Sequence, residues 1–83
     1  MSKGFNDIEL IDLGFYKQPT DKVGEYYWEY SKNGVIFVTD QTNYEKEAAK
    51  SLYTLTLISE VSETTGIKEP RDFTDIVRIF SRR

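Results

Sequence analysis

Apolar positions change their spacing several times along this chain, and each change marks the boundary of an element. At Phe5–Phe15 (FNDIELIDLGF) the polar residues carry helix-end chemistry. Asn6 can accept a hydrogen bond at the N-cap, and Glu9 three residues later completes a capping box. Phe5, just before the cap, can staple onto Leu10, while Asp7 and Glu9 suit the positive end of the helix dipole. Gly14 supplies the left-handed residue that ends a helix, and Phe15 beyond it can close back on Leu10. The pattern predicts a short helix. A strand over Ile8–Phe15 competes with it, because Ile8, Leu10, Leu13 and Phe15 make no clean helical stripe.

Tyr16–Val23 (YKQPTDKV) reads as a short extended piece, with a minor strand at Phe15–Lys17, followed by a turn around Pro19. The period then becomes two. Gly24–Lys32 (GEYYWEYSK) and Val35–Asp40 (VIFVTD) flank Asn33-Gly34, the chemistry of a tight hairpin turn. A two-residue turn there pairs Tyr30 with Phe37, Glu29 with Val38 and Trp28 with Thr39. Alternation puts Tyr26, Trp28, Tyr30, Val35 and Phe37 on one face, read as core, and Tyr27, Glu29, Ile36 and Val38 on the other. Gln41–Lys50 is polar and fits either one helical turn or a loop. Ser51–Val61 (SLYTLTLISEV) alternates again, with Tyr53, Leu55 and Leu57 opposite Thr54 and Thr56, and predicts a third strand. One helix over Tyr44–Ser62 is the alternative, since Tyr44, Ala48, Leu52, Leu55 and Ile58 also fit helical spacing. Glu63-Thr64-Thr65-Gly66 reads as a turn. Phe73, Ile76, Val77 and Phe80 then fall on one face of a closing helix that starts at Pro70 or Asp72 and runs to about Arg82. The resulting order is α-β-β-β-α. That predicts an α+β fold, a two-layer α/β sandwich built on a three-stranded antiparallel meander. Residues 1–4 read as a flexible tail and 5–83 as a single domain.

Composition narrows the function classes. The 83 residues contain neither Cys nor His, which argues against disulfide frameworks, zinc sites, thiol nucleophiles and imidazole general bases. No apolar run approaches the ~18 residues of a membrane span, and the N-terminal residues lack a signal-peptide pattern, so a cytoplasmic protein is expected. Net charge is −3, unevenly placed: −5 over residues 1–63 and +2 over residues 64–83. An acidic body argues against phosphate-backbone binding. Arg78, Arg82 and Arg83 are the candidates for a nucleic-acid-binding alternative, although basic residues at the end of the last helix also complement its dipole.

A short helix ending in Leu13-Gly14-Phe15, the strand Tyr26-Tyr27-Trp28-Glu29-Tyr30 with its apolar partner, and a closing Asp72-Phe73-Thr74-Asp75-Ile76-Val77-Arg78-Ile79-Phe80 helix make up a recognisable layout. Over residues 6–81 it resembles small α/β accessory proteins of Bacteroidota phages and mobile elements. The Gln41–Lys50 segment and the long third strand depart from that layout. The resemblance implies no activity and no site residues, only an accessory or host-interaction role.

Candidate chemistry is sparse. Asp7, Glu9, Asp12, Glu25 and Glu29 read as a solvated face and helix capping rather than an acid–base pair. Asp40–Glu45 offers oxygen ligands but lacks the carboxylate spacing and the Gly of a calcium loop. Tyr26, Tyr27, Trp28 and Tyr30 could stack bases, yet Glu25 and Glu29 stand where such a platform needs cations. No catalytic residue, cofactor or metal is expected. The leading expectation is a non-enzymatic protein-interaction module, a phage-type accessory or inhibitor protein. Its contacts would come from Tyr27, Ile36 and Val38, with Leu52 and Ile58 as further candidates for the same apolar group and Glu29 at the rim, and its partner would be another protein or a second copy of itself.

Overall fold

In the computed structural model the backbone of residues 4–32, 34–48, 53–58, 63–68 and 70–81 is described, with the side chains of all of these except 63–65, 70, 80 and 81. Helix α1 (Asp7–Leu13) is closed at both ends by local chemistry. The Asn6 side chain accepts from the Glu9 amide at 2.7 Å, and the Asn6 amide donates back to Glu9 Oε1 at 2.9 Å. At the other end Gly14 takes φ +103°, and its amide and that of Phe15 donate to the carbonyls of Ile11 and Leu10. This is a Schellman closure, so the helical reading prevails over the strand.

Six strands follow: β1 (Tyr16–Pro19), β2 (Glu25–Lys32), β3 (Val35–Thr39), β4 (Asn43–Tyr44), β5 (Leu55–Ile58) and β6 (Glu63–Ile67). Helix α2 (Pro70–Ser81) ends the described chain, with Pro70 at the first helical position where its missing amide costs nothing. All pairings are antiparallel, in the order β1-β2-β3-β5-β6, with β4 on β2. The β2–β3 register sets Glu29 against Val38 and Tyr30 against Phe37, as the hairpin reading predicts. Asn33 itself lies outside the described residues, as do Leu52 and most of the tail.

The α+β class holds, but the expected order and the three-stranded sheet require correction. β1 is a full strand. β4 arises inside the polar Gln41–Lys50 segment because Asn43 is buried and donates to the Ala48 carbonyl at 3.0 Å. The segment read as a turn, Glu63–Gly66, lies within β6. Its Gly signals a bulge: the register slips between Leu55/Ile67 and Leu57/Thr64, and Gly66 takes φ +73° at that slip.

One apolar cluster joins both helices to one face of the sheet. Leu10 and the half-buried Leu13 enter it from α1, and Phe73, Ile76 and Val77 from α2. They meet Tyr26, Trp28, Tyr30, Val35, Phe37, Leu55, Leu57 and Ile67, the core face that alternation predicts. Phe73 is the anchor of α2: its ring centroid lies 4.7 Å from Phe37, 5.3 Å from Tyr30 and 5.5 Å from Phe15. The Phe80 side chain lies outside the described set.

Candidate interaction surface

The other face of the sheet follows from the same registers. One cross-strand row runs Tyr16, Glu29, Val38, Thr56 over β1, β2, β3 and β5. A second runs Ser31, Ile36, Ile58, and a third pairs Gln18 with Tyr27. In such rows directly opposed side chains touch, so the rows form a continuous surface. Tyr16 is 44% exposed, Ile58 39% and Ile36 37%, while Tyr27, Glu29 and Val38 are half-buried. The predicted group Tyr27, Glu29, Ile36 and Val38 is therefore one patch. Ile58, already a candidate for this group, lies directly opposite Ile36, and Tyr16 completes the patch.

Glu29 sits at the centre of the patch, not its rim. Its two carboxylate oxygens face the hydroxyls of Tyr16 at 3.4 Å and Tyr27 at 3.5 Å. Both contacts are long, so the carboxylate keeps acceptor capacity for an incoming donor. Burial raises the Tyr27 phenol above its ordinary pKa, and the Glu29 charge beside it adds to the rise. Tyr27 therefore stays a neutral donor throughout the physiological range.

A polar knot borders the patch. Asp40, leaving β3, accepts from the hydroxyls of Thr54 and Thr56. Gln41 Oε1 accepts from the Thr54 amide at 2.8 Å. These bonds bury Thr56 on an otherwise open face and hold the step from β3 to β4 in place. They also occupy the Asp40 carboxylate that could otherwise have served a cation-binding loop. Among the described residues no group of three or more acidic side chains is placed to hold a metal ion.

Tyr26, Trp28 and Tyr30, weighed above as a stacking platform, are 5–8% exposed and lie in the core. Of the arginine candidates, Arg78 is exposed on α2, 3.7 Å from Asp75. Arg82 and Arg83 lie outside the described residues. Among the described residues no helix is long and apolar enough to cross a membrane. Sequence reasoning missed Tyr16 because its strand was treated as minor. The period-two run Tyr16, Gln18 against Lys17, Pro19 was the available signal. It missed the Asp40 knot because that contact joins residues far apart in the chain. Compared with protein-family models, curated proteins and solved structures, the chain matches none of them.

Proposed function

We propose that the chain is a non-enzymatic protein-interaction module, a phage-type accessory or inhibitor protein as its layout implies. In this reading it is a two-layer arrangement whose helices share one sheet face and leave the other for a partner. One observation carries the reading: Tyr16, Ile36 and Ile58 stand exposed in adjoining rows around the half-buried Glu29. Neighbouring apolar side chains of this kind are costly to leave in water and mark interfaces. Tyrosines supply contact area at little entropic cost. The central carboxylate, served among the described residues by two long tyrosine contacts, favours a partner that brings an Arg or Lys into the middle of the patch.

The test is capture of a partner from host lysate by the tagged chain and by an Ile36→Glu/Ile58→Lys variant, with and without nuclease. Both residues are more than a third exposed and directly opposed, so the new Glu and Lys face each other, and circular dichroism with urea unfolding checks that the variant keeps the fold. Capture falls at least about tenfold in the variant, as expected for two side chains near the centre of an interface. Equal capture by both chains refutes the assignment of the face. Capture lost on nuclease treatment transfers the function to nucleic acid and the Arg78 end.

A further inference from the structure

A second site lies on the opposite side of the sheet, at the corner where β1, β2 and β4 meet. Lys17, on edge strand β1, pairs in register with Trp28, so its side chain points to the core face. An inward charge on an edge strand discourages pairing with other chains. Here the charge also has a defined seat. Lys17 Nζ lies 4.3 Å from the centroid of the Tyr26 ring and 5.7 Å from that of Trp28. Those two rings meet edge to face at 90°. The Glu45 carboxylate closes the third side, 3.1 Å from Nζ. With Lys17 in place the Tyr26 and Trp28 rings are only 6% and 5% exposed, so it is the lysine's seat, and not an open ring face, that has two perpendicular aromatic walls and a carboxylate, the elements of an organic-cation cage.

The seat opens into a cleft of about 300 Å³ lined by Lys17, Pro19, Gly24, Glu25, Tyr26 and Glu45. This is the lower end of ligand-pocket sizes. The cleft holds two carboxylates against one ammonium. Glu25 accepts from the hydroxyls of Thr20 at 2.6 Å and Thr42 at 2.8 Å, which lower its pKa and keep it charged. Among the described residues it has no cation within ion-pair distance, since Lys17 is taken by Glu45. The frame is fixed by backbone bonds: the Glu45 amide donates to the Gly24 carbonyl at 2.8 Å, and the Glu25 amide to Lys22 at 3.1 Å.

We propose that this cleft recognises a quaternary or methylated ammonium group, and that Lys17 occupies the cage in cis as a resident competitor. Lys17 pairs with one of the two carboxylates and leaves the cleft open beside it, while Lys22 acts on Glu25 only from beyond ion-pair distance. A trimethylammonium group is bulkier and more weakly hydrated than the lysine ammonium. It gains from the ring faces without needing directed hydrogen bonds. The Lys17 stem, with its side chain 43% exposed, can swing to solvent to admit it.

Trp28 is the only tryptophan and reports on the cage directly. The experiment titrates the full chain and a Lys17→Ala variant with choline, following Trp28 fluorescence. The neutral isostere 3,3-dimethylbutanol and matched sodium chloride serve as controls. Expected are saturable changes with choline only, with the dissociation constant at least about tenfold lower in the variant, the scale of one desolvated cation–π contact. Adding Glu25→Gln to the variant weakens binding. N-acetyl-trimethyllysine amide separates sources of the same group: tighter than choline indicates a methylated peptide, weaker a small solute. An equal response to the neutral isostere overturns the proposal, as does the absence of a choline response in either chain. Equal affinity in the two chains overturns the role of Lys17. Lys17→Thr, which suits a strand, replaces the alanine variant if that chain does not fold.

Discussion

Phe73 ties α2 to the sheet, and Phe73→Ala measures how much of the fold depends on that one ring. The side chain is 4% exposed and its centroid lies within 5.5 Å of three other aromatic rings. Removing a buried Phe ring costs about 3–5 kcal/mol through lost transfer energy and the cavity left behind. A domain of this length has about 4–12 kcal/mol in total. The substitution therefore removes about a quarter of the stability or more. Among the described side chains, the half-buried pair Ile76 and Val77 then remains to pack α2 on the core cluster. A helix of 12 residues without strong tertiary contacts is marginal in water. Urea unfolding followed by Trp28 fluorescence should show the midpoint falling by about 1 M or more, given typical slopes for small proteins. Ellipticity at 222 nm should fall before the transition begins. Ile79→Ala, on the same helix but 63% exposed, should stay within about 0.5 kcal/mol of the parent. A loss below about 1 kcal/mol for Phe73→Ala, with the helical signal intact, would refute the account of how α2 is anchored.

Two further outcomes are expected. Gly14→Ala should cost about 1–2 kcal/mol in the same assay, because φ is +103° there; a new Cβ would meet the Tyr30 ring only at an ordinary 3.5 Å, so the cost is in the backbone. Glu25 has its pKa lowered in the folded chain, chiefly by the Thr20 hydroxyl and then that of Thr42. Its contribution is thus fully present above the unfolded value and lost as pH falls through the lowered one. Glu25→Gln should flatten the acid limb of a stability-versus-pH curve, and an unchanged limb would show that these hydroxyls do not hold the charge.

The elements legible in the sequence are those whose chemistry is local. Asn6 and Glu9 announce one end of α1 and Gly14 the other, all within a few residues. The β2–β3 register follows from the position of Asn33-Gly34 between two alternating runs. Phe73, Ile76 and Val77 reveal the buried stripe of α2. What the sequence concealed depends on distant partners. β4 exists because Tyr26 and Asn43 meet across the sheet, and β6 because β5 offers it an edge. In isolation Thr64-Thr65-Gly66 shows a turn residue, and only the bulge explains why Gly lies within a strand. The patch around Glu29 was half legible: alternation grouped Tyr27, Ile36 and Val38, whereas Tyr16 joins them only through the pairing of β1 with β2.

β2 changes partner along its length. Glu29–Lys32 pairs with β3, whereas Glu25 and Tyr26 pair with β4. Between them the Trp28 amide donates to the side-chain hydroxyl of Thr39 at 3.1 Å instead of to a backbone carbonyl. The sheet therefore has a seam, closed on one side by a hydroxyl. Opening can begin at the β4 end and stop there, without unzipping the β2–β3 ladder. In hydrogen exchange the amides of Tyr26 and Glu45 should report a subglobal opening, and those of Tyr30 and Phe37 the global one. The corner that can breathe independently is the one holding Lys17, Tyr26 and Glu45. The step that separates β3 from β4 thus gives a small domain a door with its own hinge, while the face bearing Ile36 and Ile58 remains on the part that stays shut.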